Sequence, residues 1–223
     1  DANTTGNYNT AMGHVALTAN TTAADNTAFG GQAMYATTTG AKNTGIGSQA
    51  LYANTTGAEN TAVGYQALDA NTTGTRNTAL GHGALSALVG GYHYNVAIGY
   101  NALAVSTVNT GNVAIGALAM DGLTSGSATQ CVAVGYASMS GALAGYGNTA
   151  LGDSTMTVAT SAFENTFIGR NSGVTLTTGD NNVALGSYAG DVVTTGSNNV
   201  LIGYDAGSDA LGSITTVSNY IML

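Results

Sequence analysis

The side chains able to do chemistry are few in this chain, and they are far apart. The three histidines are His14, His82 and His93. A zinc site recruits three or four ligands. His14 and His82 hold equivalent places in a repeat, four units apart, so one chain cannot bring them to one ion. Only a ring of copies around an axis would do so, and solvated imidazoles are the favoured reading. Asp180-Asn181-Asn182 offers the oxygens a calcium ion takes, but the Gly-rich nonapeptide calcium repeat is absent, and Asp and Asn serve turns equally well. Glu59 and Glu164 lie six units apart, whereas a glycosidase pair needs its carboxyls within about 10 Å. Ser and Asp are scattered over loop positions with no base beside them. Cys131 is a single thiol, expected to be buried and inert. Asn3, Asn20, Asn54 and Asn71 each precede Thr-Thr and form glycosylation sequons, read here as bare turns. The expectation is a chain without enzymatic activity, metal or cofactor. Among twelve tyrosines, Tyr35, Tyr52, Tyr65, Tyr100, Tyr136 and Tyr204 recur at repeat positions 6 or 10, where packing between neighbouring units is expected. Tyr92-His93-Tyr94 sits in a lengthened loop and is a candidate surface contact for sugar or protein.

Composition narrows the class. In 223 residues there are 33 Gly, no Pro and no Trp, and charged residues make up 6 %, against roughly a quarter in an ordinary soluble domain. Three Lys+Arg against eleven Asp+Glu give a net charge of −8. Phosphate binding needs clustered basic residues, so nucleic acid is not the expected partner. No apolar run approaches the ~18 residues of a membrane span, and no signal-peptide pattern opens the sequence. Collagen is excluded, because Gly is not every third residue.

The organisation is a repeat. Asn-Thr/Val-Ala-apolar-Gly begins at Asn9, Asn26, Asn43, Asn60, Asn77, Asn95, Asn112, Cys131, Asn148, Asn165, Asn182 and Asn199. Nine of the eleven intervals are 17 residues; Asn77 to Asn95 is 18 and Asn112 to Cys131 is 19. The additional residues, within 86–94 and 121–130, are expected in the loop half of the unit. Residues 1–8 read as the back half of a preceding repeat, 9–164 as regular repeats, 165–215 as a variant transition segment, and 216–223 as the exit to a downstream region.

Gly at position 5 of every unit, and near position 15 of many, costs about 1 kcal/mol each in a helix interior. Extended chain fits better. At ~3.3 Å per residue, 17 residues trace one coil with two short strands and two bends. Stacked coils pair in parallel every ~4.8 Å, so twelve would make a rod of ~58 Å. Position 4 is always apolar: Met12, Phe29, Ile46, Val63, Leu80, Ile98, Ile115, Val134, Leu151, Ile168, Leu185 and Ile202. Strand side chains alternate, so positions 2 and 4 share one face and Ala at position 3 takes the other. Position 9, Leu or Met through Met156, follows a small residue and marks the expected second strand. The Asn side chains of position 1 are expected to stack as a ladder along Asn9, Asn26, Asn43, Asn60, Asn77, Asn95, Asn112, Asn148, Asn165, Asn182 and Asn199. A strand apolar on both faces is usually buried on both. A thin coil covers only one face, so Ile46, Val63, Leu80, Ile98, Ile115, Val134, Leu151 and Ile168 are core or interface residues and a partner chain is expected.

Asn95-Val-Ala-Ile-Gly99 and Asn112-Val-Ala-Ile-Gly116 resemble the head repeats of trimeric autotransporter adhesins. The longer phrase Asn60-Thr-Ala-Val-Gly-Tyr-Gln-Ala-Leu-Asp-Ala-Asn-Thr-Thr-Gly74 resembles the shafts of phage tail-fibre proteins, which often end in an endosialidase-type chaperone domain. The resemblance covers residues 1–215, with a loop three residues longer than the adhesin repeat. It implies a left-handed parallel β-roll with three chains to a fibre. The expected fold is therefore an all-β parallel β-solenoid of twelve ~17-residue coils, homotrimeric. The expected role is a structural and adhesive shaft, extracellular on a virion or bacterial surface, whose receptor is met by another region. The alternative is an ice-binding solenoid, from the Thr pairs Thr21/Thr22, Thr38/Thr39, Thr55/Thr56 and Thr72/Thr73. That array lapses at Val89/Gly90 and resumes at Thr177/Thr178 and Thr194/Thr195.

Overall fold

A computed structural model describes residues 2–105, 110–123, 128–141, 144–208 and 214–223. The chain is an all-β parallel solenoid, and no helix occurs among the described residues. It divides into two compact units, Asp1–Gly111 and Asn112–Leu223. The first carries β1 (Thr10–Met12), β2 (Thr27–Phe29), β3 (Thr44–Ile46), β4 (Thr61–Val63), β5 (Thr78–Leu80) and β6 (Val96–Ile98). The second carries β7 (Val113–Ile115), β8 (Val132–Val134), β9 (Thr149–Leu151), β10 (Thr166–Ile168), β11 (Val183–Leu185), β12 (Val200–Ile202) and β13 (Ile221–Met222). Within each unit every strand pairs in parallel with its sequence neighbour. Like positions face like: Ala28 opposes Gly45, Phe29 opposes Ile46, and Phe167 opposes Ala184.

Among the described residues each coil has one strand, not the two expected. Positions 8 and 9 are both buried, as in Ala33-Met34, Ala50-Leu51 and Ala67-Leu68. An alternating strand cannot point consecutive residues to one side. The chain does so with left-handed residues at positions 7 and 9, such as Gln49 (φ 60) and Leu51 (φ 53). A left-handed L-residue costs about 1–2 kcal/mol. Here the apolar side chain is enclosed, and the backbone bonds across coils on both sides. Leu51 N–H donates to Ala67 O at 3.0 Å, and Gln49 N–H to Gly31 O at 2.9 Å. The backbone ladder thus continues where the strand ends.

The interior is narrow. Ala at positions 3 and 8, Leu or Met at 9, and position 12 fill it, with Ala28, Ala62, Leu68, Ala97 and Met139 among the fully enclosed side chains. Position 5 requires Gly: at Gly30 (φ +137) a Cβ would lie 2.6 Å from the Gly47 carbonyl of the next coil.

The lengthened unit in 86–94 places its extra residue as expected. Leu88 fills position 12, and Tyr92 O accepts from Asn77 Nδ2 at 2.9 Å, as Gly74 O does from Asn60. The insertion therefore lies between, on the Thr-Thr-Gly edge. In 121–130, Leu123 and Ala128 take the same two roles; the extra residues fall within 124–127, outside the described residues.

The described residues of 165–208 keep the strand register and the Asn column. Their filling differs from that of the earlier coils. Gly173 at position 9 vacates volume that Phe167 occupies: a Cβ at Gly173 would sit 2.9 Å from Phe167 Cγ. Leu176 and Val193, both fully buried, take position 12. The expected exit at 216–223 is a further rung. Ile221 pairs with Val200, and Tyr220 N–H donates to Asn199 Oδ1 at 2.9 Å from the place of a position-1 Asn.

Candidate functional site

From Asn26 to Asn199 the Asn column is buried and hydrogen-bonded from coil to coil, with Cys131 in one place. Asn60 N–H and Nδ2 both donate to Asn43 Oδ1, at 2.9 and 3.1 Å, while Nδ2 also donates to Gly74 O at 2.8 Å. The pattern repeats at Asn43, Asn77, Asn165, Asn182 and Asn199, while Asn26 donates its N–H to Asn9 Oδ1 and its Nδ2 to Gly40 O. Cys131 accepts its place by donating N–H to Asn112 Oδ1 at 2.9 Å. It presents sulfur where the next coil wants an amide oxygen, and burial pushes its thiol pKa up. Cys131→Asn is expected to replace the weak sulfur acceptor that Asn148 now uses with an amide oxygen and raise stability by about 1 kcal/mol, read as a higher denaturation midpoint with unchanged slope.

A second amide column was not foreseen. Asn20, Asn54 and Asn71 at position 12 are buried. Asn71 Nδ2 donates to Asn54 Oδ1 at 3.0 Å and to Gly74 O at 3.2 Å. These sequon residues face the interior, closed to a glycan. The recurring Asn-Thr-Thr-Gly was the available signal: Gly74 N–H closes back on Asn71 Oδ1 at 3.0 Å.

The candidate chemical groups do not assemble. Among the described residues no three of His, Cys, Asp and Glu are placed to hold a metal. Asp180 Oδ1 accepts from Phe163 N–H at 2.9 Å and Asn182 belongs to the ladder. Glu59 is held below the usual carboxylate range by the hydrogen-bonded Arg76 guanidinium, 2.7 Å away. His82 is not simply solvated. It stacks between Tyr65 and Tyr100 at 5.1 and 5.3 Å, and Tyr35 stacks on Tyr52 at 5.3 Å. The aromatic trio in the long loop is also tied down. His93 Nδ1 accepts from Thr75 N–H at 3.0 Å, Tyr94 OH from Arg76 at 2.8 Å, and Tyr92 supplies its carbonyl to Asn77. Only Tyr94 is strongly exposed there.

What remains open is the outer strand face. Ala at position 3 points inward, which decides the question that the doubly apolar strand posed. Positions 2 and 4 point out. Met12 is 62 % exposed, Phe29 50 % and Leu80 46 %; Ile46, Ile168 and Ile202 are also exposed. Val63, Ile98, Ile115, Val134 and Leu151 are half-buried by their own neighbours. Each unit thus carries a stripe of large apolar side chains, one per coil. Isolated exposed apolar residues are normal, but a contiguous stripe marks an interaction surface. No family model, curated protein or solved structure matches this chain significantly. No helix among the described residues is long and apolar enough to cross a membrane.

Proposed function

We propose that this chain is the shaft of a homotrimeric, non-enzymatic fibre, of the kind found in phage tail fibres and bacterial surface adhesins. It acts as an extracellular spacer whose receptor is met elsewhere in the fibre. The apolar stripe at position 4 carries the reading. The coil already has a filled interior, so the stripe is surplus to the fold of one chain. Burying a Val, Leu or Ile side chain contributes about 1.5–3 kcal/mol, and the position recurs in every coil. The proposal needs neither nucleic-acid nor membrane contact. Light scattering on the purified chain is expected to give three times 21.9 kDa; a monodisperse 21.9 kDa species overturns it.

The ice-binding alternative has less support. In Thr21, Thr38, Thr55, Thr177 and Thr194, the first Thr of five of the six pairs, the hydroxyl donates to the carbonyl of the next coil at 2.9–3.1 Å. Those five hydroxyls are already occupied by the protein. Absence of thermal hysteresis is the expected result.

A further inference from the structure

Two columns border the outer strand face. Position 17 precedes each strand and position 6 follows it. In the coil of β10 these are Glu164 and Arg170, both exposed. Neither makes an ion pair among the described residues. Arg170 lies over the Tyr188 ring with 4.8 Å to its centroid. Arg76, by contrast, is paired with Glu59 in its own column. Glu164 and Arg170 cannot meet within one copy, because six residues of near-extended chain hold them up to ~20 Å apart on opposite borders of the stripe. In a chain with three basic residues in total, an unpaired Arg at one border and an unpaired Glu at the other are complementary halves of one contact.

We propose that a second copy of this chain docks on the β10 face, parallel and with equal coils at equal height, so that Arg170 of one copy pairs with Glu164 of the next. The inference rests on the assembly proposed above and specifies its register and polarity. Copies related by an axis along the stack bring the position-6 border of one against the position-17 border of its neighbour. Antiparallel copies bring like borders together and set Arg170 beside Arg170. Register follows from the neighbouring coils. A slip of one coil sets Glu164 against Asp153 or Ser187, and leaves Arg170 facing Gly147 or Asn181. Equal height alone forms the ion pair. In the first unit the same rule sets Asp25 against Gly31, Lys42 against Ser48 and Glu59 against Tyr65, with no like charges opposed.

The test uses the full chain carrying Cys131→Ser, so that only introduced thiols react. Glu164→Cys with Arg170→Cys is expected to crosslink between chains with a short bismaleimide, and either single variant is not. Arg170→Glu is expected to weaken association by on the order of tenfold or more, and combining it with Glu164→Arg in the same chain to restore association. Crosslinking of a single-cysteine variant to itself shows antiparallel packing and overturns the proposal. An oligomeric mass with no crosslink in the double variant overturns the pairing while the shaft reading stands. A native mass of 21.9 kDa overturns both.

Discussion

Ala97→Glu is expected to abolish folding of its coil. Ala97 is fully enclosed at the centre of β6, and its neighbours in the narrow interior are Ala and Leu side chains. A carboxylate there has neither water nor a partner. Placing an unpaired charge in a core belongs to the short list of changes that exceed 4 kcal/mol, comparable with the whole stability of a small domain at about 5–15 kcal/mol. Far-UV circular dichroism is expected to show lost β signal or a melting midpoint lowered by more than ten degrees, on the order given by the usual conversion of free energy to temperature. A soluble, fully folded Ala97→Glu chain would place position 3 on the outside and reverse the orientation of every strand.

The adjacent residue is expected to behave in the opposite way. Ile98→Asp combined with Ile115→Asp leaves the interior untouched, because both side chains point outward. The chain is expected to keep its circular dichroism spectrum while its mass falls to 21.9 kDa. Two carboxylates set in an apolar contact must be desolvated in every copy, which costs several kcal/mol per ion. Retention of a full-size oligomer by this double variant would remove the position-4 stripe from the interface. The two experiments together separate folding from assembly with substitutions one residue apart.

Much of this architecture was legible because the repeat prints it twelve times. The parallel pairing, the Asn column and the period-2 alternation of positions 2, 3 and 4 follow from residues that recur at fixed spacing. Three features were not legible. A small residue followed by Leu reads as strand, and nothing in Gln49-Ala50-Leu51 announces that Gln49 and Leu51 adopt left-handed φ. That conformation is imposed by the neighbouring coils through hydrogen bonds that single residues do not encode. Which strand face points inward was undecided, because Ala and Ile are both apolar. Size settles it: the interior already holds Leu68 and its equivalents and has room for Ala alone. The Thr75–His93 and Arg76–Tyr94 contacts join residues 18 apart, and an aromatic trio in a long loop carries no sign of its tether.

The Asn column also gives the stack a direction. Its side-chain amides turn the same way: at Asn43, Asn60, Asn165 and Asn182 the carbonyl receives both the backbone and the amide N–H of the following coil. Asn199 continues this relay by handing its oxygen to Tyr220 N–H, as Asn9 hands its own to Asn26 N–H. The two ends of such a stack are therefore as unlike as plug and socket. Any broken surface across it presents hungry donors on one side and idle acceptors on the other. Two identical ends cannot heal against each other, and stacking of free ends would proceed only head to tail.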